Sequence, residues 1–227
     1  MLETEKLIKQ LTLKEKIHIL SGYDAWYTHK IKRFNIPSLK MSDGPNGVRG
    51  DGKSGKSSAC FPCAISVGST WNTELVNDLG KELGNEARAK NVDVLLGPTI
   101  NIHRHPLGGR HFECFSEDPF LTGKIAIDYV KGVQSKQVAA CLKHFVGNDT
   151  EFERYTVSSN IDEKTLREIY LLPFEMAVKE ANAQVVMSAY NKLNNIYCSS
   201  DNNLLINILK NEWGFNGYVV SDWCAAT

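Results

Sequence analysis

Short apolar runs alternate with longer amphipathic stretches along most of this chain. Leu39 to Ser42, Ala64 to Val67, Val92 to Leu96, Val138 to Leu142, Val185 to Ala189 and Gly217 to Ser221 have the length and composition of buried strands. The segments between them carry helix signals. Thr12-Leu13-Lys14-Glu15 is a capping box opening a helix to about Leu20. Asn72 caps a helix to about Lys90, and Asp118-Pro119 sets a cap and an N1 proline before a helix to about Lys136. Asp162 opens a helix that meets Pro173, where a kink or break is expected, and Asp201 opens one to about Trp213. Six strands separated by helices predict an α/β fold with a parallel sheet. No glycine-rich first turn marks a doubly wound sheet, so a (β/α)8 TIM-type barrel fits better.

The strand ends strengthen that reading. The first strand finishes at Asp43, the fourth at Lys143 and His144, the fifth at Tyr190 and Asn191, and the last at Asp222 beside Trp223. In a parallel barrel these ends meet on one face, where the site lies. Carboxylates, a cation, an imidazole and a phenol together suit a ligand rich in hydroxyls. Trp223 offers a face to the C–H groups of a sugar ring. Asp222 is the candidate nucleophile, with nearby cations expected to keep it ionised.

Composition narrows the field. The 227 residues are 42% apolar, and 26 Lys and Arg balance 26 Asp and Glu. No excess positive field exists to hold nucleic acid or an anionic membrane. No run is long and apolar enough for a transmembrane helix, and the first residues do not read as a signal peptide, so a cytoplasmic location is expected. The six cysteines are scattered, several inside apolar runs, and read as buried free thiols. Cys60-Phe61-Pro62-Cys63 lacks a second ligand pair, so no zinc site is expected, and no cofactor is called for. Gly50 to Ser58 reads as a solvated loop; its glycines miss the phosphate-loop spacing.

Five stretches together resemble glycoside hydrolase family 3, a family of β-glucosidases and β-xylosidases. They are Ser42 to Arg49 (SDGPNGVR), Gly108 to Pro119 (GGRHFECFSEDP), Lys143-His144-Phe145, Met187 to Asn191 (MSAYN) and Val219 to Trp223 (VVSDW). The resemblance implies Asp222 as nucleophile of a retaining double displacement. It implies Asp43, Arg110, Lys143, His144, Arg154 and Tyr190 as the grip on the non-reducing-end sugar, with Arg49 and Trp223 around them. A terminal β-D-glucosyl residue, in a β-glucoside or short β-linked oligosaccharide, is the implied substrate.

One departure matters. The loop Lys143-His144-Phe145-Val146-Gly147-Asn148-Asp149 lacks the second histidine of the N-acetylglucosaminidase branch. The chain therefore resembles the branch that takes its acid/base glutamate from a second, α/β sandwich domain. Residues 1–227 read as the N-terminal barrel domain only, without that domain or the last strands, so the acid/base is expected outside this chain. A truncated, inactive sugar-binding remnant is the alternative that follows. Two further readings are weaker. His103 and His105 form an HxH after a strand, as in binuclear amidohydrolases, but no further histidine lies between His144 and Asp222. Lys143 at a strand end evokes a Schiff-base aldolase, but polar neighbours crowd it.

Overall fold

The computed structural model describes residues 3–50 and 57–226. Most of the loop expected between Gly50 and Ser58 therefore lies outside the described residues. Helices α1 (Glu3–Gln10) and α2 (Leu13–Leu20) come first, and the Thr12 capping box forms as expected. Strand β1 (Met41–Asp43) follows, then α3 (Ala64–Gly68), α4 (Thr73–Ala89), β2 (Val94–Leu96), α5 (Pro119–Gln134) and β3 (Ala139–Phe145). A short strand β4 (Ser158–Ser159) precedes α6 (Glu163–Thr165), α7 (Leu172–Ala181), β5 (Val185–Ser188), β6 (Lys192–Leu193) and β7 (Ile196–Tyr197). Helix α8 (Asn203–Glu212), of π type, and strand β8 (Tyr218–Ser221) complete the order.

Five strands form one parallel sheet in the order β1-β2-β3-β5-β8. The strands alternate with helices, as in a (β/α) barrel of which the described residues show five strands. A separate small sheet holds β4, β6 and β7. The second expected strand, Ala64 to Val67, is instead helix α3. Ala64, Val67 and Gly68 of α3 are buried while Ile65 is 45% exposed. That is i, i+3, i+4 spacing, the period of a helix rather than a strand.

The two faces of the main sheet differ, and the period of two says which residues go where. Leu95, Ala140, Leu142, Val186 and Val219 belong to the core against the helices. Met41, Val94, Leu96, Cys141, Val185, Met187, Tyr218 and Val220 form a smaller cluster on the opposite, inner face. Asp43, Lys143 and Asp222 share the parity of this inner set.

The helical face is closed by α5, which packs against both α4 and α7. Gly80 and Gly132 let α4 and α5 approach backbone to backbone. A Cβ on Gly132 would lie 2.3 Å from the Asn77 carbonyl oxygen, closer than any side chain allows. Phe145 packs on Phe174 and Trp213 at ring distances of 5.0 and 5.9 Å. The Asp162 helix breaks near Pro173 as expected: Leu166–Tyr170 widens to a π turn, and the proline falls in the first turn of α7. There its missing N–H costs nothing. Of the six cysteines, all unpaired, Cys114, Cys141 and Cys198 are buried, and Cys60, Cys63 and Cys224 are exposed. Burial pushes the three inner thiols up to about 12, which keeps them inert. Among the described residues, no helix is long and apolar enough to cross a membrane.

Candidate active site

Four of the five main-sheet strands carry a polar residue at or just past their C-terminal end. Asp43 closes β1, where Gly44 turns the chain at φ 122° and the Arg49 amide donates to the Asp43 carbonyl at 3.0 Å. A Cβ on Gly44 would sit 1.9 Å from the Gly47 carbonyl oxygen, so this turn requires glycine. Asp222 follows β8, and its amide donates to the Ser188 carbonyl of β5 at 3.1 Å. Lys143 and His144 stand side by side in β3, where the register against β5 slips between Leu142 and Phe145. The Lys143–His144 and Phe145–Val146 peptide bonds are cis.

Lys143 Nζ donates to Asp43 Oδ1 at 2.9 Å, and the Arg49 guanidinium lies 3.5 Å from Asp43 Oδ2. Burial alone would raise the Asp43 carboxyl. Lys143, a hydrogen bond from the Gly44 amide and Arg49 outweigh it, and the net shift is downward. Arg49 is otherwise open to solvent, with 75% of its side chain exposed. Lys143 is 3% exposed, and its bond to Asp43 commits it to ion pairing rather than to imine chemistry.

Asp222 behaves in the opposite way. Its amide-side neighbour supports it, as the Trp223 amide donates to Oδ1 at 2.8 Å. The Tyr190 hydroxyl also bonds it, and Lys143 and Arg110 lie near enough to lower its pKa. Burial outweighs all of these, and the carboxyl is raised. The nearby cations favour the carboxylate as expected, but burial outweighs them. Loss of water costs the charged form more than cations without direct contact return. Burial, and then the same carboxylate, push the Tyr190 phenol well up. His144 Nε2 lies 3.6 Å from Asp222 Oδ2, but the two are not an ion pair. His144 is 2% exposed, and burial, then Arg110, Lys143 and Arg154, hold it well below the ordinary imidazole range.

The arginines come from loops. Arg110 Nε donates to Glu113 at 2.5 Å, and its other end is 3.9 Å from Glu151. Glu151 also accepts from Arg154 at 2.8 Å, and Arg154 lies over the Tyr190 ring at 4.6 Å. Glu113 accepts a further bond from Thr99 at 3.0 Å. Trp223 is half-buried: its indole N–H donates to the Ala25 carbonyl at 3.0 Å, and its ring centre is 5.7 Å from that of Trp26. A cavity of 660 Å³ opens beside Asp43, Arg49, Arg110 and Phe112. Tyr190 lines a second of 420 Å³. Both are of the size that takes a small ligand.

All nine residues expected from the strand ends and from the family resemblance are thus described, and contacts or charge link eight of them into one network. Trp223 joins it through its amide. Asn191 does not take part. Its amide donates to the Val146 and Lys192 carbonyls at 3.1 Å and braces the loop. His103 is a brace as well. Its Nε2 lies 3.0 Å from the carbonyls of both His111 and Cys114, so this nitrogen carries a proton and is no metal ligand. Among the described residues, no three His, Cys, Asp or Glu side chains converge as metal ligands do. Sequence reasoning missed Glu113, Glu151 and Asn101. The two glutamates stand three residues from Arg110 and Arg154, a spacing that signals pairing. Asn101 carried no signal beyond its place after β2.

Comparison with known proteins places this geometry. A β-glucosidase of Rhizobium radiobacter is 53% identical over 221 residues, covering 96% of this chain and 27% of that protein. A thermostable β-glucosidase B of Acetivibrio thermocellus is 50% identical over 231 residues, covering 98% of this chain and 31% of that protein. The chain therefore spans about a third or less of the curated relatives it matches. The crystal structure of a Kluyveromyces marxianus β-glucosidase in complex with glucose superposes with a TM-score of 0.96 at 47% identity, covering all of this chain and 27% of that one. β-Glucosidase 3B of Thermotoga neapolitana, also with glucose, gives 0.90 at 45%, covering 96% of this chain and 33% of that one. A family model, the glycosyl hydrolase family 3 N terminal domain, matches residues 9–227. With five strand-end groups gathered on one face and that match over nearly its whole length, the chain belongs to glycosyl hydrolase family 3.

Proposed function

We propose that this chain carries the nucleophile and the first sugar subsite of a retaining β-glucosidase, acting on terminal, non-reducing β-D-glucosyl residues. The observation that carries the reading is the placement of Asp222. It is a buried carboxylate at the end of β8, bonded by Tyr190 and Trp223, with Lys143 and Arg110 nearby. A carboxylate whose pKa is raised is the more basic, and the better nucleophile once ionised. Asp222 attacks the anomeric carbon and displaces the aglycone, forming a glycosyl ester. Water then attacks the same carbon, frees the carboxylate and restores the β configuration. Asp43, Lys143, Arg110, His144 and Arg154 hold the sugar hydroxyls. Relatives about half identical along this chain are named β-glucosidases, and two similar structures hold glucose.

The acid/base is assigned outside residues 1–227. Three carboxylates of this network are already committed: Asp43 to Lys143, Glu113 to Arg110, Glu151 to Arg154. A substrate with a very good leaving group needs little protonation, so it isolates the nucleophilic step. Incubation with an activated 2-deoxy-2-fluoro-β-glucoside, followed by peptide mapping, is expected to place one sugar on Asp222. A sugar found on Asp43 instead would refute the assignment. Glucose binding without any labelling, at any pH, would favour the sugar-binding remnant.

A further inference from the structure

The chain after β2 runs beside the end of β3. The Lys143 amide donates to the Pro98 carbonyl at 3.1 Å, and the Ile100 amide to the Lys143 carbonyl at 2.8 Å. This brings Asn101, 4% exposed, level with His144. The His144 amide donates to Asn101 Oδ1 at 2.9 Å, and Asn101 Nδ2 donates to the His144 carbonyl at 2.9 Å. The two bonds settle which end of the Asn101 side chain is oxygen. Turned over, it would set NH2 against N–H and carbonyl against carbonyl.

The same Oδ1 lies 3.3 Å from His144 Nδ1. An amide oxygen only accepts, so Nδ1 carries the hydrogen. A neutral imidazole has one N–H, and Nε2 is left with a lone pair. That lone pair faces Asp222 Oδ2 at 3.6 Å. The surrounding charged groups are Asp222 itself and Arg110, Lys143 and Arg154, and the three cations oppose a second proton on the ring.

We propose that Asn101 is a positioning residue that fixes His144 as an Nδ1–H tautomer, so that Nε2 accepts a hydrogen bond from a bound hydroxyl instead of donating one. Two acceptors, Nε2 and Asp222 Oδ2, then face the same space and select a group that brings its own hydrogen. Lys143 and Arg110 supply donors to the remaining oxygens. The hydroxyl as the bound group rests on the glycosidase reading; the tautomer does not.

The test is 15N NMR of the chain with labelled imidazoles near neutral pH, with the His144 signals assigned by their loss in His144→Gln. The expected spectrum has a pyrrole-type Nδ1 and a pyridine-type Nε2. In Asn101→Ala the pyridine-type signal is expected to move to Nδ1, as the freed ring turns its hydrogen to Asp222. A wild-type ring with pyridine-type Nδ1, or with both nitrogens protonated, would overturn the proposal. So would an unchanged tautomer in a folded Asn101→Ala. The wild-type readout needs only the assignment from a folded His144→Gln and does not depend on the folding of Asn101→Ala. Failure of Asp222 to label would overturn the glycosidase reading and leave this spectrum standing.

Discussion

Asp43 and Asp222 are the same residue type at the ends of the two outermost strands of one sheet, yet their environments drive them apart. Asp43 touches an ammonium at 2.9 Å and is held low. Asp222 has only neutral donors in direct contact and is held high. Both are largely buried, so burial does not separate them; direct ion pairing does. A carboxylate spent on a fixed cation suits gripping hydroxyls. One left basic suits attack on carbon. Two carboxyls pushed in opposite directions are how a site divides binding from chemistry.

The largest effect that could break this division is loss of the basic carboxylate. Asp222→Asn is expected to lower the rate of labelling by the activated fluoro-glucoside on the order of 10⁴-fold, read by intact mass, with glucose binding kept. Asp43→Asn should do the reverse, losing glucose affinity while Asp222 still labels under saturating reagent.

Lys143→Met should come next, through stability. Removing one partner of a buried ion pair leaves the other charge unpaired, at about 3–5 kcal/mol. Asp43 keeps 29% of its side chain exposed, so roughly 2 kcal/mol in urea unfolding is the expected loss. No loss would mean that Asp43 is held low by some other group.

The pH dependence sharpens the comparison further. Because Asp222 is raised, labelling should fall off on the acid side above 3.8, the ordinary aspartate value. Asp43→Asn frees the Lys143 charge and should move this limb to lower pH. For stability the two signs oppose. Asp43, depressed, favours the folded state above its unfolded pKa, and that contribution is lost as pH falls through its lower folded value. Asp222, raised, binds its proton more tightly when folded. Its contribution is present at low pH and lost as pH rises through its folded value. The smallest effect belongs to Arg49→Ala. An exposed pair at 3.5 Å contributes about 0–1 kcal/mol, so glucose affinity should change less than about fivefold by calorimetry.

Local order along the chain was legible wherever one short signal decides it. Thr12, Asn72, Asp118 and Asp162 cap their helices because a side-chain oxygen meets an amide two or three residues on. The strands at Met41, Val94, Ala139, Val185 and Tyr218 follow from apolar runs of strand length. Ala64 to Val67 misled because four apolar or small residues fit either period, and packing of Ala64, Val67 and Gly68 against the core chose the helix. The network around Arg110 and Arg154 was only half visible, since Glu113 and Glu151 look like surface charges until the loops fold inward.

The sequence by itself determined the α/β order and the family, and offered Asp43, Lys143, His144, Tyr190 and Asp222 as candidates at strand ends and Arg110 through the family resemblance, because apolar runs and motif spacing are local facts. Only the tertiary structure decided what each of these groups touches, and that Asp43 is held low and Asp222 high. The shift of Asp222, the pairing of Asp43 with Lys143 a hundred residues on, and the contact of Asn101 with His144 depend on distance and burial. Desolvation and Coulomb interactions act through space, and the order of residues along the chain does not contain those distances.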